Sequence, residues 1–393
     1  MSANQQKAAA LVPALLAWFA KNARDLPWRR TRNPYPIWIS EIMLQQTQVK
    51  TVVPYWERWI HKLPTIQSVA KTSPAKLHKL WEGLGYYTRV RNLQKAAQQI
   101  LTQHDGKFPE NFDDILALPG IGRYTAGAIC SIAFNQPTPV LDGNVVRVLT
   151  RLFGIAANPR KQKTSALLWN LAKKLVETAF EQEPFAPDRR RAKLLPLLGE
   201  RAGVRAVVEH TSRNSCSHLN QSLMELGAVI CTPRSPNCTL CPVRKLCVAY
   251  RKGQQEEFPN LAPRATPTSR RFAVFVAERR GCFLVRQRPA SVVNAHLWEF
   301  PNVELSRSHA DLRAAAGFVF GTAPEAIEPL CSLRHSITRY RITLEAYRVQ
   351  LRKLPFKHTG VWLTRAQLRP LAFTSAHKKI LARLKKTRRQ QPQ

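Results

Sequence analysis

The feature that most constrains this chain is a change in the period of its apolar residues. From Leu11 to about Tyr250 they recur at three- and four-residue spacing, as in TVVPYWERWI (51–60), AKLHKLWEGLG (75–85), RNLQKAAQQIL (91–101), FDDILAL (112–118), YTAGAICSIAF (124–134), NVVRVLTRLF (144–153) and ALLWNLAKKLVE (166–177). That spacing lines up one face of a helix, and no alternating pattern interrupts it, so an all-α region is expected over 1–250. The stretch RKGQQEEFPNLAPRATPTSR (251–270) is rich in Pro, Thr and charge and reads as a linker. Beyond it the period falls to two in RFAVFVAE, GCFLVRQR, HLWEFPNVE and YRITLEAYRV. A second, β-rich domain with a helix or two is expected over 271–386, followed by a basic tail at 387–393.

Charge narrows the partner. Lys and Arg number 61 against 25 Asp and Glu, a formal net charge of +36 and a pI near 10.7. Such an excess suits a polyanion, and nucleic acid is the commonest for a soluble chain. No run approaches the ~20 apolar residues of a membrane span. Lys7 before AAALVPALLAWFA imitates a signal peptide, but an amphipathic helix ended by LPW at Leu26 accounts for it equally and is preferred. Eight cysteines, four of them clustered, point to ligands in a reducing cytoplasm, not a disulfide framework. The densely basic stretch 186–213 reads as an exposed helical excursion.

The clustered cysteines are Cys231, Cys238, Cys241 and Cys247, spaced C-x6-C-x2-C-x5-C. Thiolates so spaced hold either zinc or an iron–sulfur cluster, and one short pair with interleaved prolines suits a compact cubane better than a zinc knuckle. Arg234, Arg244 and Lys245 decorate the same loop and are expected to touch phosphate. In LPGIGRYTAGAI (118–129), Gly120 and Gly122 make a bare turn before Arg123 and a small-residue helix. Read alone, it is an ordinary helix–helix connection. With this charge it is a phosphate grip, because the first N–H groups of the helix lack internal partners. Asp142 in VLDGNV stands at the start of the next helix, where it can cap the helix or be held ionised by its dipole. Glu41 in PIWISEIMLQQTQV shares a helical face with Ile37, Trp38 and Leu44, or else faces solvent. Buried there, it would stay protonated. A neutral acid beside an anion is the pair that cleaves glycosidic bonds through an oxocarbenium-like state.

Taken together, LPGIGRYTAGAI, VLDGNV and the cysteine run resemble the helix–hairpin–helix DNA glycosylases. LPWR (26–29), WISEIMLQQTQV and WEGLGYYTRVRNL (81–93) narrow the resemblance to the adenine DNA glycosylase, or MutY, type. HLWEFPNVE and LRHSITRY resemble that family's C-terminal Nudix-like domain. The fold implied is an all-α helix–hairpin–helix glycosylase core with an iron–sulfur loop, followed by an α+β Nudix-like domain. The activity implied is hydrolysis of the N-glycosidic bond of adenine in A:8-oxoguanine and A:G mispairs of double-stranded DNA, by a cytoplasmic monomer carrying a 4Fe–4S cluster. Glu41 would protonate the adenine, Asp142 would stabilise the sugar cation, and Tyr124 and Asn144 would position Asp142. Trp28, Arg29 and Leu44 would line the adenine pocket, assisted by Glu225. Gln46, Thr47, Leu84 and Tyr86 would contact the opposing base, Tyr86 as a wedge, because the target base must leave the stack. Thr338 would read the lesion. Three departures stand out: the basic stretch 186–213; Ile337-Thr338-Arg339 where the family has Phe-Ser-His; and the lack of a glutamate run able to hold Mg²⁺ after LWEFPNVE. An endonuclease III-like lyase would need a Lys where Tyr124 stands. A non-catalytic iron–sulfur DNA-binding protein would have no use for Glu41 with Asp142.

Overall fold

The computed structural model describes residues 3–182, 214–262, 266–305, 311–337, 339–352 and 360–387. The basic stretch 186–213, and Thr338, lie outside the described residues. In chain order the helices are α1 (Ala3–Asn22), α2 (Pro34–Leu44), α3 (Val49–Lys62), α4 (Ile66–Lys71), α5 (Pro74–Trp81), α6 (Thr88–Gln103), α7 (Phe112–Leu116), α8 (Arg123–Phe134), α9 (Gly143–Phe153), α10 (Gln162–Glu181), α11 (Ser215–Val229) and α12 (Val248–Arg251). No strand occurs among the described residues before Thr268. Two compact units form, each discontinuous in sequence: Met1–Ile42 with Lys107–Ala262, and Met43–Gly106 with Pro263–Gln393.

The first unit is all helix. Its centre is α11, which packs on α1, α8, α9 and α10 and buries Cys216, Leu219, Leu223 and Leu226. Close approach of α11 to α9 needs a glycine: a Cβ on Gly227 would lie 2.6 Å from the Asn144 Cβ. The turn between α7 and α8 takes Gly120 at φ +82°, a region that disfavours side chains. Gly122 then precedes α8 without any side-chain cap.

The second unit joins helices α3–α6 to the strands β1 (Thr268–Arg279), β2 (Cys282–Gln287), β3 (Trp298–Glu299), β4 (Asn302–Glu304), β5 (Ala326–Ile337), β6 (Tyr340–Gln350) and β7 (Val361–Thr364), with α13 (Leu312–Phe320), α14 (Arg365–Leu368) and α15 (Ser375–Thr387). The strand order is β3-β2-β1-β6-β5, with β4 on β1 and β7 on β2. β1 and β6 run parallel, and the remaining pairs are antiparallel. Ala273–Ala277 in β1 are buried in unbroken succession because both sheet faces are covered. Val274, Val276, Phe283 and Phe300 meet Ile380 and Leu384 of α15 on one face, and Phe275 and Leu284 meet Ala315 and Phe320 of α13 on the other. The C-terminal part is therefore α+β.

Candidate active site

In α2, Ile37 to Met43 are all buried, so a carboxyl at position 41 is largely withdrawn from solvent. Glu41 is 5% exposed. The Tyr124 hydroxyl, at the first turn of α8, donates to Glu41 Oε2 at 2.9 Å and also lies 3.3 Å from Met224 Sδ. Burial drives the Glu41 carboxyl up to about 7; the Tyr124 bond and the Arg29 charge pull it down, and the Asp142 charge pushes it further up. Glu41 is thus an acid that still holds its proton near neutrality.

Asp142 is the N-cap of α9. Its Oδ1 accepts from the Val145 N–H at 2.8 Å and its Oδ2 from Asn144 Nδ2 at 2.9 Å. The helix start was expected to hold this carboxylate readily ionised. Burial instead outweighs those bonds and the nearby Arg147, and holds the carboxyl above its usual range. The expectation counted the donors and missed the enclosure. Asn144 engages Asp142 as expected, whereas the Tyr124 hydroxyl is bonded to Glu41.

Arg147, one turn into α9, had no assigned role. It donates to Asn144 Oδ1 at 2.8 Å, to the Gly227 carbonyl at 2.7 Å and to the Cys231 carbonyl at 2.7 Å. With its oxygen so held, the Asn144 amide turns its NH₂ to Asp142. Only the i+3 spacing from Asn144 hints at this in the sequence.

Glu225 is 1% exposed and its oxygens take Arg24 Nε at 2.6 Å, Arg24 Nη2 at 2.9 Å and Arg29 Nη2 at 2.8 Å. Burial would raise this carboxyl, but the two guanidinium groups prevail and hold it below its usual range. Arg29 is also stacked 5.3 Å over Phe19, and Trp28 is buried. Leu44, at the end of α2, is half-buried. Arg24 was not foreseen, its partner lying some 200 residues away in sequence.

In the second unit one guanidinium gathers two loops. Arg89 donates to the carbonyls of Met43 at 2.9 Å, Gln45 at 2.7 Å, Leu84 at 3.0 Å and Gly85 at 3.0 Å, with Thr47 Oγ1 at 3.4 Å. Gln46 and Tyr86 both adopt positive φ, +56° and +47°, a strain that Arg89 helps to hold. Leu84 is buried, Tyr86 is 46% exposed, and the Tyr86 ring lies 5.6 Å from the guanidinium. Arg339 is exposed and lies over the Tyr340 ring at 5.2 Å.

Of the expected phosphate contacts, Arg123 stacks 4.1 Å over Trp169, Arg234 and Lys245 are exposed, and Arg244 is half-buried.

The iron–sulfur cluster expected on Cys231, Cys238, Cys241 and Cys247 requires correction. Among the described residues no group of three or more His, Cys, Asp or Glu is disposed to hold a metal ion. The four cysteines do line one cavity, but it measures about 20 Å³, where a single water needs about 10–15 Å³. Two of the sulfurs are bonded to Arg151, which donates to Cys231 Sγ at 3.3 Å and whose carbonyl accepts the Cys247 thiol at 3.4 Å. Burial pushes the Cys241 thiol up to about 12 and raises those of Cys238 and Cys247. What organises the loop is Arg151, 2% exposed, which donates to the carbonyls of Phe258, Thr232 and Pro233 at 2.7–3.1 Å.

Residues 39–174 match the HhH-GPD superfamily base excision DNA repair proteins, and residues 273–383 match the NUDIX domain. The chain is 35% identical to the adenine DNA glycosylase of Rattus norvegicus, over 93% of this chain and 76% of that one. It is 34% identical to that of Mus musculus, again over 93% and 76%. Among solved structures, a thermostable thymine-DNA glycosylase superposes with a TM-score of 0.51 at 29% identity, covering 64% of this chain and all of that one. Among the described residues no helix is long and apolar enough to cross a membrane.

Proposed function

The chain belongs to the adenine DNA glycosylases, the MutY type within the HhH-GPD base-excision repair superfamily, and on that premise we propose that it hydrolyses the N-glycosidic bond of adenine paired with 8-oxoguanine or guanine. The observation that carries this reading is the unequal pair of carboxyls, Glu41 buried and Asp142 half-buried. Glu41 titrates near 7, with the Asp142 charge among the causes, while Asp142 is fixed by Asn144 and the start of α9. Glu41 gives its proton to the adenine ring, and the C1′–N9 electron pair leaves with the base. Asp142, ionised, stabilises the positive charge that develops at C1′. Water then adds to C1′ and loses a proton, completing hydrolysis.

The group bonded to Glu41 is a phenol, and burial with the two nearby carboxylates raises the Tyr124 phenol well above its ordinary range. It is a donor, not the amine that a lyase needs, so the enzyme is read as a monofunctional hydrolase. Gly120, Gly122 and Arg123 grip the DNA backbone, with Arg234, Arg244 and Lys245 adding charge. Tyr86 wedges the duplex while Gln46, Thr47 and Leu84 support the opposing base, and Thr338 with Arg339 reads the 8-oxo lesion. Trp28, Arg29 and Leu44 enclose the adenine, Arg29 being held by Glu225.

A single-turnover assay on duplexes carrying A:8-oxoguanine, A:G and A:T tests the reading. Adenine release from the first two, with an alkali-labile site and no borohydride-trapped adduct, is the expected result. Preferential release of a pyrimidine, or an abundant trapped adduct, would refute it.

A further inference from the structure

Glu82 follows α5 and immediately precedes the turn Gly83–Tyr86. Its side chain is buried within the second unit, yet no step of the reaction uses it. Oε1 accepts the Phe373 N–H at 2.9 Å, and Oε2 accepts Lys378 Nζ at 2.7 Å and Lys79 Nζ at 2.9 Å. Lys79 also reaches the Leu371 carbonyl at 2.9 Å. The Glu82 carbonyl takes the Tyr55 hydroxyl at 2.9 Å, and at Gly83, φ +115°, an added Cβ would lie 2.2 Å from that hydroxyl. The backbone leading into Tyr86 is therefore set from Glu82 on one side and from Arg89 on the other.

The partners of Glu82 lead to the other end of the recognition surface. Phe373 bridges to Trp298 of β3. Lys378 belongs to α15, which packs on β5. The next residue, Lys379, lies near enough to His335 to help burial lower that imidazole. His335 stands three residues before Thr338 in the chain.

We propose that Glu82 is a positioning residue for recognition of the base opposite the target adenine: it fixes the C-terminal segment against the turn that carries Tyr86, so that wedge and lesion reader meet the same base pair. The proposal rests on the reading that Tyr86 and the Thr338–Arg339 loop contact that base. The physical basis is pre-organisation. A reader held in place meets the lesion at the effective concentration set by its anchor, whereas one loosened from its anchor must be ordered at each encounter.

The test uses the full chain. Single-turnover rates on A:8-oxoguanine and A:G are measured for Glu82→Gln, Lys378→Met and the double variant, with melting temperatures alongside. Glu82→Gln should lower the preference for A:8-oxoguanine over A:G about tenfold. Lys378→Met, on a half-exposed side chain, should move the same ratio, and the double variant should be no worse than Glu82→Gln alone. A lowered melting temperature with an unchanged ratio overturns the proposal, as does full additivity. A Thr338→Ala/Arg339→Ala variant separates the premise from the anchor. If it keeps the preference, the lesion-reading premise fails; if it loses the preference while Glu82→Gln and Lys378→Met keep it, the anchor fails alone.

Discussion

Each unit opens a helix with an aspartate, and the two aspartates do different work. Asp142 caps α9 through the Val145 N–H, and Asp311 caps α13 through the Arg313 and Ala314 N–H groups at 3.0 and 3.1 Å. Asp311 is exposed and Asp142 is half-buried, close enough to Glu41 for its charge to raise that carboxyl. The local motif is the same; the surroundings turn one cap into a chemical group. The most severe way to break this comparison is Asp142→Asn. Asn caps a helix about as well as Asp, so the fold should persist. The charge needed at the sugar cation is gone, and single-turnover excision should fall at least about 10³-fold, on the scale of ~4 kcal/mol, with duplex binding retained. Because the Asp142 carboxyl titrates above its ordinary 3.8 when folded, its ionised form costs stability at neutral pH. The variant should therefore melt no lower than the parent at pH 7. Near-normal cleavage would show that Asp142 is only a cap.

The second comparison is between buried carboxyls. Glu299 in β3 is hydrogen-bonded by Arg286 and Arg288; burial would raise it, but those cations and His377 hold it low. Glu41 has a tyrosine in place of a cation. Folding moves its carboxyl from the ordinary 4.5 to about 7, so the folded state binds the proton more tightly. The resulting stabilisation is fully present below about pH 4.5 and is lost as pH rises through 7. At about 1.4 kcal/mol per pH unit this amounts to about 3 kcal/mol. Unfolding measured from pH 4.5 to 8 should show that loss in the parent and not in Glu41→Gln. Excision should fade over the same rise through pH 7, and Tyr124→Phe, which removes the bond that lowers Glu41, should move the falling limb upward. A pH-independent excision rate across this range would remove Glu41 as the acid.

A smaller effect is expected one layer out, at Arg147. Arg147→Met leaves the Asn144 carbonyl without its guanidinium and lets the amide rotate away from Asp142. A charge-assisted bond of this kind contributes about 1.5–3 kcal/mol, so excision should slow about 10- to 100-fold, with kcat falling and KM nearly unchanged. A rise in KM alone would reassign Arg147 to holding the Cys231 loop.

Patterns within a single element were legible in the sequence. The period switch near 251–270 separated helices from strands, and the apolar neighbours of Glu41 on α2 left a buried acid as one of two readings. Partners distant along the chain were not legible. Nothing local to WEGLGYYTRVRNL says that Arg89 returns to Met43 and Gln45, or that residues 43–106 form one unit with the C-terminal strands. The parallel pairing of β1 with β6 joins segments some 70 residues apart, where alternation alone suggests hairpins. The cysteine spacing misled for the same reason: it cannot reveal that Arg151, 80 residues upstream of Cys231, fills the loop with its own bonds. Asp142 shows the limit most clearly, since a helix start is read locally but enclosure is a property of the whole unit.

Asp311 supplies the smallest effect and the control for all the rest. Its side chain accepts two N–H groups at the start of α13, a helix that contributes Ala315, Ala316 and Phe320 to one face of the sheet. Removing the cap with Asp311→Ala should cost about 1 kcal/mol, seen as a lower melting temperature for the second unit. Asp311→Asn should cost almost nothing, since the amide oxygen accepts the same bonds. Neither change touches Glu41 or Asp142, so adenine release from A:G should match the parent in both. The same Asp→Asn change would thus be silent at Asp311 and decisive at Asp142. If Asp311→Asn also slowed excision, exposure would not be what divides the two aspartates, and charge near α13 would have to enter the account of the reaction.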